Sequence, residues 1–295
     1  MPPDPPTPPA DPLAGLVVLG FGHLGSAVAE GAIRRRLVHP GDVLAVDVSA
    51  TRRSHAERLG CRADSAIGVL PPNAPILISV KPQIWPEVAP ALARALPISD
   101  AESPRGIVVS VMAGRSSRSI AESLGDRVIV ARAMPNTPAR IGLAMTALAW
   151  PEEITDEERR PVRGLFESVG NVVELPESLL HAVTAVSGSG PAYIFRFAEA
   201  MEHAAIELGI PQAIARRLVS GTIRGAGGML VETDAEPATL RDAVTSRGGT
   251  TAAALEQFER WGLEPAVSDA IRAAEARSRE ISGDPQPAES ESESD

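Results

Sequence analysis

"LVVLGFGHLGSAVAEGAI", residues 16–33, reads as a strand, a glycine-rich turn and a helix in immediate succession. Gly20, Gly22 and Gly25 give the spacing G-x-G-x-x-G. In such a turn the first glycine makes the tight bend and the second lets the backbone approach a pyrophosphate. The third lets the helix pack closely on the strand. The helix N-terminus then presents unpaired N–H groups to the phosphates. A second strand, "VLAVDV", follows and places Asp47 about twenty residues beyond the motif, where a carboxylate can bond an adenosine ribose 2′-hydroxyl. The stretch therefore predicts a nicotinamide dinucleotide, NADPH or NADH. Because Asp47 suits a hydroxyl better than a phosphate, NADH is the expected preference.

The same alternation continues outward. "ILISV", "GIVVSVMAG", "RVIVARAM" and "VVELP" are further short strands between helical stretches, the pattern of a parallel sheet with crossover helices. A Rossmann-type α/β domain is thus expected over 12–176. From 177 to 282 the strands disappear and Ala-rich segments of helical spacing take over, as in "IFRFAEAMEHAAIELG". Gly209 followed by Pro211 predicts a helix stop and restart. Thr155 and Glu158 predict a capping box for a helix to about 169. Residues 1–11 are Pro-rich and 283–295 are acidic and Ser-rich; neither can bury apolar surface, so both are expected to be disordered tails.

Composition narrows the function. The 28 basic residues against 38 acidic ones give a net charge of −10, which disfavours nucleic acid and anionic membrane as partners. Cys61 is the single cysteine, so neither a disulfide framework nor a multi-cysteine metal site is expected, and no metal is assigned. No apolar run is long enough to span a bilayer, and "MPPDPPTPPADP" lacks the basic and apolar parts of a secretory signal. A cytoplasmic protein is the expectation. Among all the basic side chains only Lys81, in "SVKPQ", is a lysine. A compact ammonium offers what a planar guanidinium cannot, so Lys81 is either a survivor of drift or a residue that its site requires.

Four more stretches carry a resemblance: "VKPQ" (80–83), "RAMPNTPA" (132–139), "AVSGSGPAY" (185–193) and "VTSRGGTTAAALEQF" (244–258). With "AIRAAEARSREI" they resemble the pyrroline-5-carboxylate reductase family, in its order, from Leu16 to Ile281. The resemblance implies a Rossmann domain followed by an all-helical dimerisation domain, with homodimers that assemble further into decamers. It also implies reduction of 1-pyrroline-5-carboxylate to L-proline, the last step of proline synthesis. On that resemblance Ser246, Gly248, Gly249, Thr250 and Thr251 hold the substrate, and Thr251, nearest the imine nitrogen, is the catalytic candidate. The cofactor residues are Gly20, Phe21, Gly22, His23, Leu24, Gly25, Asp47, Val80, Lys81, Pro82, Ala113, Asn136 and Thr137. The consecutive N–H groups of "SRGGTT" suit a carboxylate. The glycines of "SGSGPAY" are expected to permit close helix packing.

Three departures stand out. Arg247 replaces the family's usual proline in "SPGG", His181 replaces a frequent Asp, and Asp47-Val48 stands where NADP-using members often show Asn-Arg or Ser-Arg. Arg52 and Arg53 lie one turn beyond Asp47. Two other readings are a sister β-hydroxyacid dehydrogenase, disfavoured because no lysine follows residue 81, and a non-catalytic dinucleotide-binding paralogue with a regulatory role.

Overall fold

The computed structural model describes residues 12–96, 106–125, 128–151 and 154–283. The tails expected at 1–11 and 283–295 lie outside them, but for Gly283. Among the described residues eight strands form one sheet: β1 (Leu16–Leu19), β2 (Val43–Val46), β3 (Arg62–Asp64), β4 (Ile76–Ile78), β5 (Gly106–Ser110), β6 (Val128–Met134), β7 (Ala144–Ala149) and β8 (Gly170–Glu174). Their spatial order is β3-β2-β1-β4-β5-β6-β7-β8. All pairs are parallel except β6 with β7.

Alternate residues feed two cores. Leu16, Val18, Val43, Ala45 and Leu77 face one side, where α1 (His23–Arg34) and α5 (Asp156–Glu167) pack. Val17, Leu19, Leu44, Val46 and Ile78 face the other, against α3 (Trp85–Ala95) and α4 (Ser117–Leu124). Both faces are covered, which is why these strands read as continuous apolar runs. A further helix, α2 (Ala50–Arg58), follows β2. Two strands had no such signal. β3, "RAD", is polar and partly exposed, and β7, "AMTALA", is alanine-rich. Alanine is a poor strand former, so β7 is set by pairing with β6 and β8 rather than by local preference. The capping box forms: the Glu158 amide donates to Thr155 Oγ1 at 3.3 Å and the Thr155 amide to Glu158 Oε2 at 2.8 Å.

The chain divides into two compact units. Within the described residues the first comprises 12–188 together with 274–283, and the second 189–273. The first unit also holds α6 (Leu180–Val183) and a π-helical turn at Thr184–Gly188. The second is helical: α7 (Gly190–Glu207), α8 (Gln212–Glu232), α9 (Pro237–Ala243), α10 (Thr250–Arg260) and the start of α11 (Leu263–Ser282). Between α7 and α8, Gly209 adopts φ +91° and Pro211 caps the new helix, as the Gly–Pro pattern predicts. No helix among the described residues is long and apolar enough to cross a membrane.

Candidate active site

The sheet order reverses between β1 and β4, and crevices outside strand carboxyl ends at such a point bind ligands. The glycine-rich turn lies here. Gly20 has φ +90°, and a Cβ on it would lie 2.7 Å from the Ser79 carbonyl oxygen. A Cβ on Gly25 would strike the Gly20 carbonyl oxygen and sit 3.0 Å from Val18 Cγ1. The missing side chains thus let the turn and α1 close onto Ser79–Val80 at the end of β4. A Cβ on Gly22 would meet no atom nearer than the Arg52 guanidinium, at 3.8 Å. Gly22 is the N-cap of α1 and supplies no side-chain cap, so the first-turn amides of His23, Leu24 and Gly25 have no side-chain acceptor from their cap. An open cradle with outward N–H groups fits a dinucleotide pyrophosphate.

The other expected cofactor residues border this crevice in different ways. His23 is exposed and Leu24 half-buried, whereas Phe21 is buried and stacks edge-on with His55 at 5.8 Å. Phe21 therefore offers the crevice no ring. Val80 and Pro82 are half-buried beyond β4; Lys81 is exposed, and its ammonium pairs with none of the described residues. Ala113 follows β5 beside the left-handed Gly114.

Asp47 ends β2 almost fully buried, at 6% exposure. Its Oδ2 accepts the Phe21 amide at 2.8 Å and Arg52 Nη1 at 3.3 Å, and its Oδ1 accepts the Ser49 amide at 2.8 Å. Arg53 Nη1 donates to the Asp47 and Val48 carbonyl oxygens, each at 2.9 Å. Asn136 is also internally engaged. Its amide nitrogen donates to the Ser187 carbonyl at 3.2 Å and hydroxyl at 3.3 Å, and its oxygen accepts the Met145 amide at 3.0 Å. It ties the "MPN" loop to β7 and the π turn. Thr137 is exposed at the start of a short 3-10 turn.

In the second unit, residues 246–251 form a turn running into α10. Gly248 has φ +69°, and the Gly249 amide donates to the Ser246 carbonyl at 3.0 Å. A Cβ on Gly249 would strike Ser246 Oγ, so this glycine lets the hydroxyl fold in. Gly249 caps α10 without a side chain, leaving the amides of Thr250, Thr251 and Ala252 directed outward. Such consecutive N–H groups suit a carboxylate. Arg247 is exposed in this turn.

One feature escaped the sequence reading. A cavity of about 480 Å³ in the first unit is lined by Arg132, Met134, Glu177, His181, Thr184 and Ser278 among others. Arg132, 4% exposed, donates to the Met112 carbonyl at 2.6 Å and to Glu177 at 3.3 Å; Glu177 also accepts the Ser117 amide at 2.7 Å and its hydroxyl. His181 Nδ1 and Ser278 Oγ are 2.9 Å apart, so the His181 departure falls at a contact between α6 and α11. The return of α11 to the first unit is tertiary, and of the lining only His181 stands out in the sequence. Among the described residues the glycines of "SGSGPAY" do not serve close packing. A Cβ on Gly188 would meet nothing nearer than 3.7 Å, and one on Gly190 nothing within 4 Å.

A Rossmann sheet with an open glycine cradle, continued by a helical unit, defines a dinucleotide-dependent oxidoreductase. Residues 177–281 match the pyrroline-5-carboxylate reductase dimerisation family. Across 273 residues the chain is 35% identical to pyrroline-5-carboxylate reductase of Synechocystis, covering 90% of this chain and 97% of that one. The solved structure of the Coxiella burnetii reductase superposes with a TM-score of 0.83 at 29% identity, covering 92% and 99% of the two chains. The Plasmodium falciparum enzyme, solved with NADP bound, has the same fold, with a TM-score of 0.76 at 24% identity and 91% and 98% covered. The chain belongs to the pyrroline-5-carboxylate reductase family.

Proposed function

We propose that the protein reduces 1-pyrroline-5-carboxylate to L-proline with NADPH or NADH. The observation that carries this reading is the glycine cradle at the β1/β4 switch point, in a chain that follows reductases of this family over nine-tenths of its length. A bound nicotinamide supplies the hydride that the imine carbon accepts. Gly20, Gly22 and Gly25 keep the crevice open, and the α1 amides hold the pyrophosphate. Val80, Lys81, Pro82 and Ala113 line the nicotinamide end; Asn136 positions the "MPN" loop, with Thr137 at its exposed edge. Ser246, Gly248, Gly249 and Thr250 hold the substrate carboxylate on the N–H groups at the start of α10. As hydride reaches the imine carbon the C=N π pair moves onto nitrogen; the Thr251 hydroxyl donates a hydrogen bond to that nitrogen, which takes up a proton, drawn ultimately from solvent, to become the amine of proline.

The second unit supports a homodimer as the working assembly. Phe195, Leu218, Val231 and Trp261 are each more than half exposed, and so many large apolar side chains left uncovered on one helical unit support an interface there. A decamer built from such dimers is the larger assembly that the resemblance implies, and the cytoplasm is the expected compartment. No observation favours the non-catalytic paralogue. Proline-dependent reduction of NADP⁺ or NAD⁺ at alkaline pH, followed by the absorbance of the reduced nicotinamide, tests the activity. Cofactor binding without turnover would leave only a binding protein.

A further inference from the structure

A carboxylate at the end of β2 is ordinarily the group that selects a ribose 2′-hydroxyl and repels a 2′-phosphate. Asp47 is placed for that task, yet its surroundings alter its effect. Both oxygens are occupied: Oδ1 by the Ser49 amide, Oδ2 by the Phe21 amide and Arg52. Its side chain is 3% exposed, whereas that of Arg52 is 53% exposed. The outer surface of this pair is therefore guanidinium, not carboxylate. The same guanidinium lies 3.8 Å from the position a Gly22 Cβ would take, so it overhangs the turn where the adenosine half enters. Arg53 is committed to two backbone carbonyls and holds the β2–α2 loop in shape.

Building on the dinucleotide reading of this crevice, we propose that Arg52 is the residue that reads the cofactor's 2′ substituent. Asp47 is a buried strut that pins the glycine-rich turn to β2. With a 2′-hydroxyl the Asp47–Arg52 pair stays closed. With a 2′-phosphate the exposed guanidinium turns to the dianion and bonds it through two N–H groups, while Asp47 keeps its two backbone amides. Net charge at the ribose is then zero without the phosphate, and Asp47 sets no barrier against it. This revises the NADH preference expected from Asp47 in the sequence: 2′-phosphorylated ligands bind at least as well as unphosphorylated ones.

Calorimetric titration with 2′,5′-ADP, 5′-AMP and NADH tests the inference without any turnover. Wild type is expected to bind 2′,5′-ADP no more weakly than 5′-AMP. Arg52→Gln should weaken 2′,5′-ADP by about ten- to a hundredfold, the scale of a charge-assisted pair, and leave 5′-AMP and NADH within about threefold. Arg58→Gln, an exposed position on the same helix, removes the same charge and should change either ligand by no more than about twofold. Equal losses of 2′,5′-ADP binding in the two variants would reduce the effect to net charge and overturn the assignment. So would a parallel loss of 5′-AMP, which would make Arg52 a support of the turn, or a wild-type protein that binds 5′-AMP more than about tenfold better than 2′,5′-ADP. Failure of wild type to bind NADH as well would remove the dinucleotide reading itself.

Discussion

The two units of the chain bury their apolar residues to different degrees. In the first, strands feed cores on both faces of the sheet, and Trp85, Phe21, Phe166, Leu77 and Leu165 are fully covered. In the second, α7, α9 and α10 contain no buried residue, and α8 only Ala215 and Val219. Phe197 and Phe258 meet at 6.2 Å, but Leu208, Val231 and Trp261 stay more than three-quarters exposed. A scaffold that completes its own core needs nothing else to be stable. A helical unit that does not is stable only where a second surface covers it, and its stability then depends on concentration.

The sharpest way to break this contrast is to cut into the finished core. Phe166→Ala should cost about 3–5 kcal/mol, with the loss independent of protein concentration. Urea melts at two concentrations read it; a concentration-dependent loss would show that the first unit is not self-sufficient. Next in size is Thr251→Val, which preserves shape and removes the hydroxyl. It should lower kcat/KM by about ten- to a thousandfold with the melting temperature unchanged, the scale of one transition-state donor. Near wild-type turnover would take Thr251 out of the reaction. Phe195→Asp tests the unfinished surface directly. It should weaken self-association by about thirtyfold or more, as for a central interface aromatic, and make thermal stability fall on dilution. Sedimentation equilibrium decides, and an unshifted dissociation constant would place the interface elsewhere.

Smaller still is Lys81→Arg. Lys81 is exposed and pairs with none of the described residues, so stability should hold, while kcat/KM drops about tenfold if the site needs a compact ammonium. If both Lys81→Arg and Lys81→Gln stay within about threefold of wild type, the lone lysine has no special role. The smallest effect concerns Cys61. Burial, aided by the nearby Glu30 carboxylate, pushes its thiol up from 9.0 to about 11. A raised thiol contributes stability below its unfolded value and loses it as pH rises to the folded one, so a shallow fall is expected between about 9 and 11. Alkylation of native protein at neutral pH should be slow relative to the unfolded chain; equal rates would contradict this burial.

The parts of the molecule that were legible in the sequence are those set locally. Glycine spacing, apolar runs, the Thr155–Glu158 box and the Gly209–Pro211 break all depend on neighbours a few residues away, and each is found. β7 was not legible, because alanines become a strand only when β6 and β8 flank them. The cavity around Arg132 and His181 was not, because residues a hundred positions apart build it. Asp47 was read as a ligand group from its spacing, but spacing carries no information about Arg52 folding back upon it.

The route of α11 has a practical consequence for dividing the gene. A fragment stopped at 176 or 188, where composition changes or where the first run of the unit ends, would omit residues 274–283. Either fragment would leave Gly114 without Ile281, whose Cγ2 lies 2.9 Å from where a Gly114 Cβ would be, and the one stopped at 188 would also leave His181 without Ser278. An isolated dinucleotide-binding fragment for crystallisation or ligand screening should therefore carry 274–283 grafted behind residue 188 through a flexible connector. In a circular permutant the new termini belong in the exposed turn between α7 and α8, where no core residue of the first unit is cut from its partners.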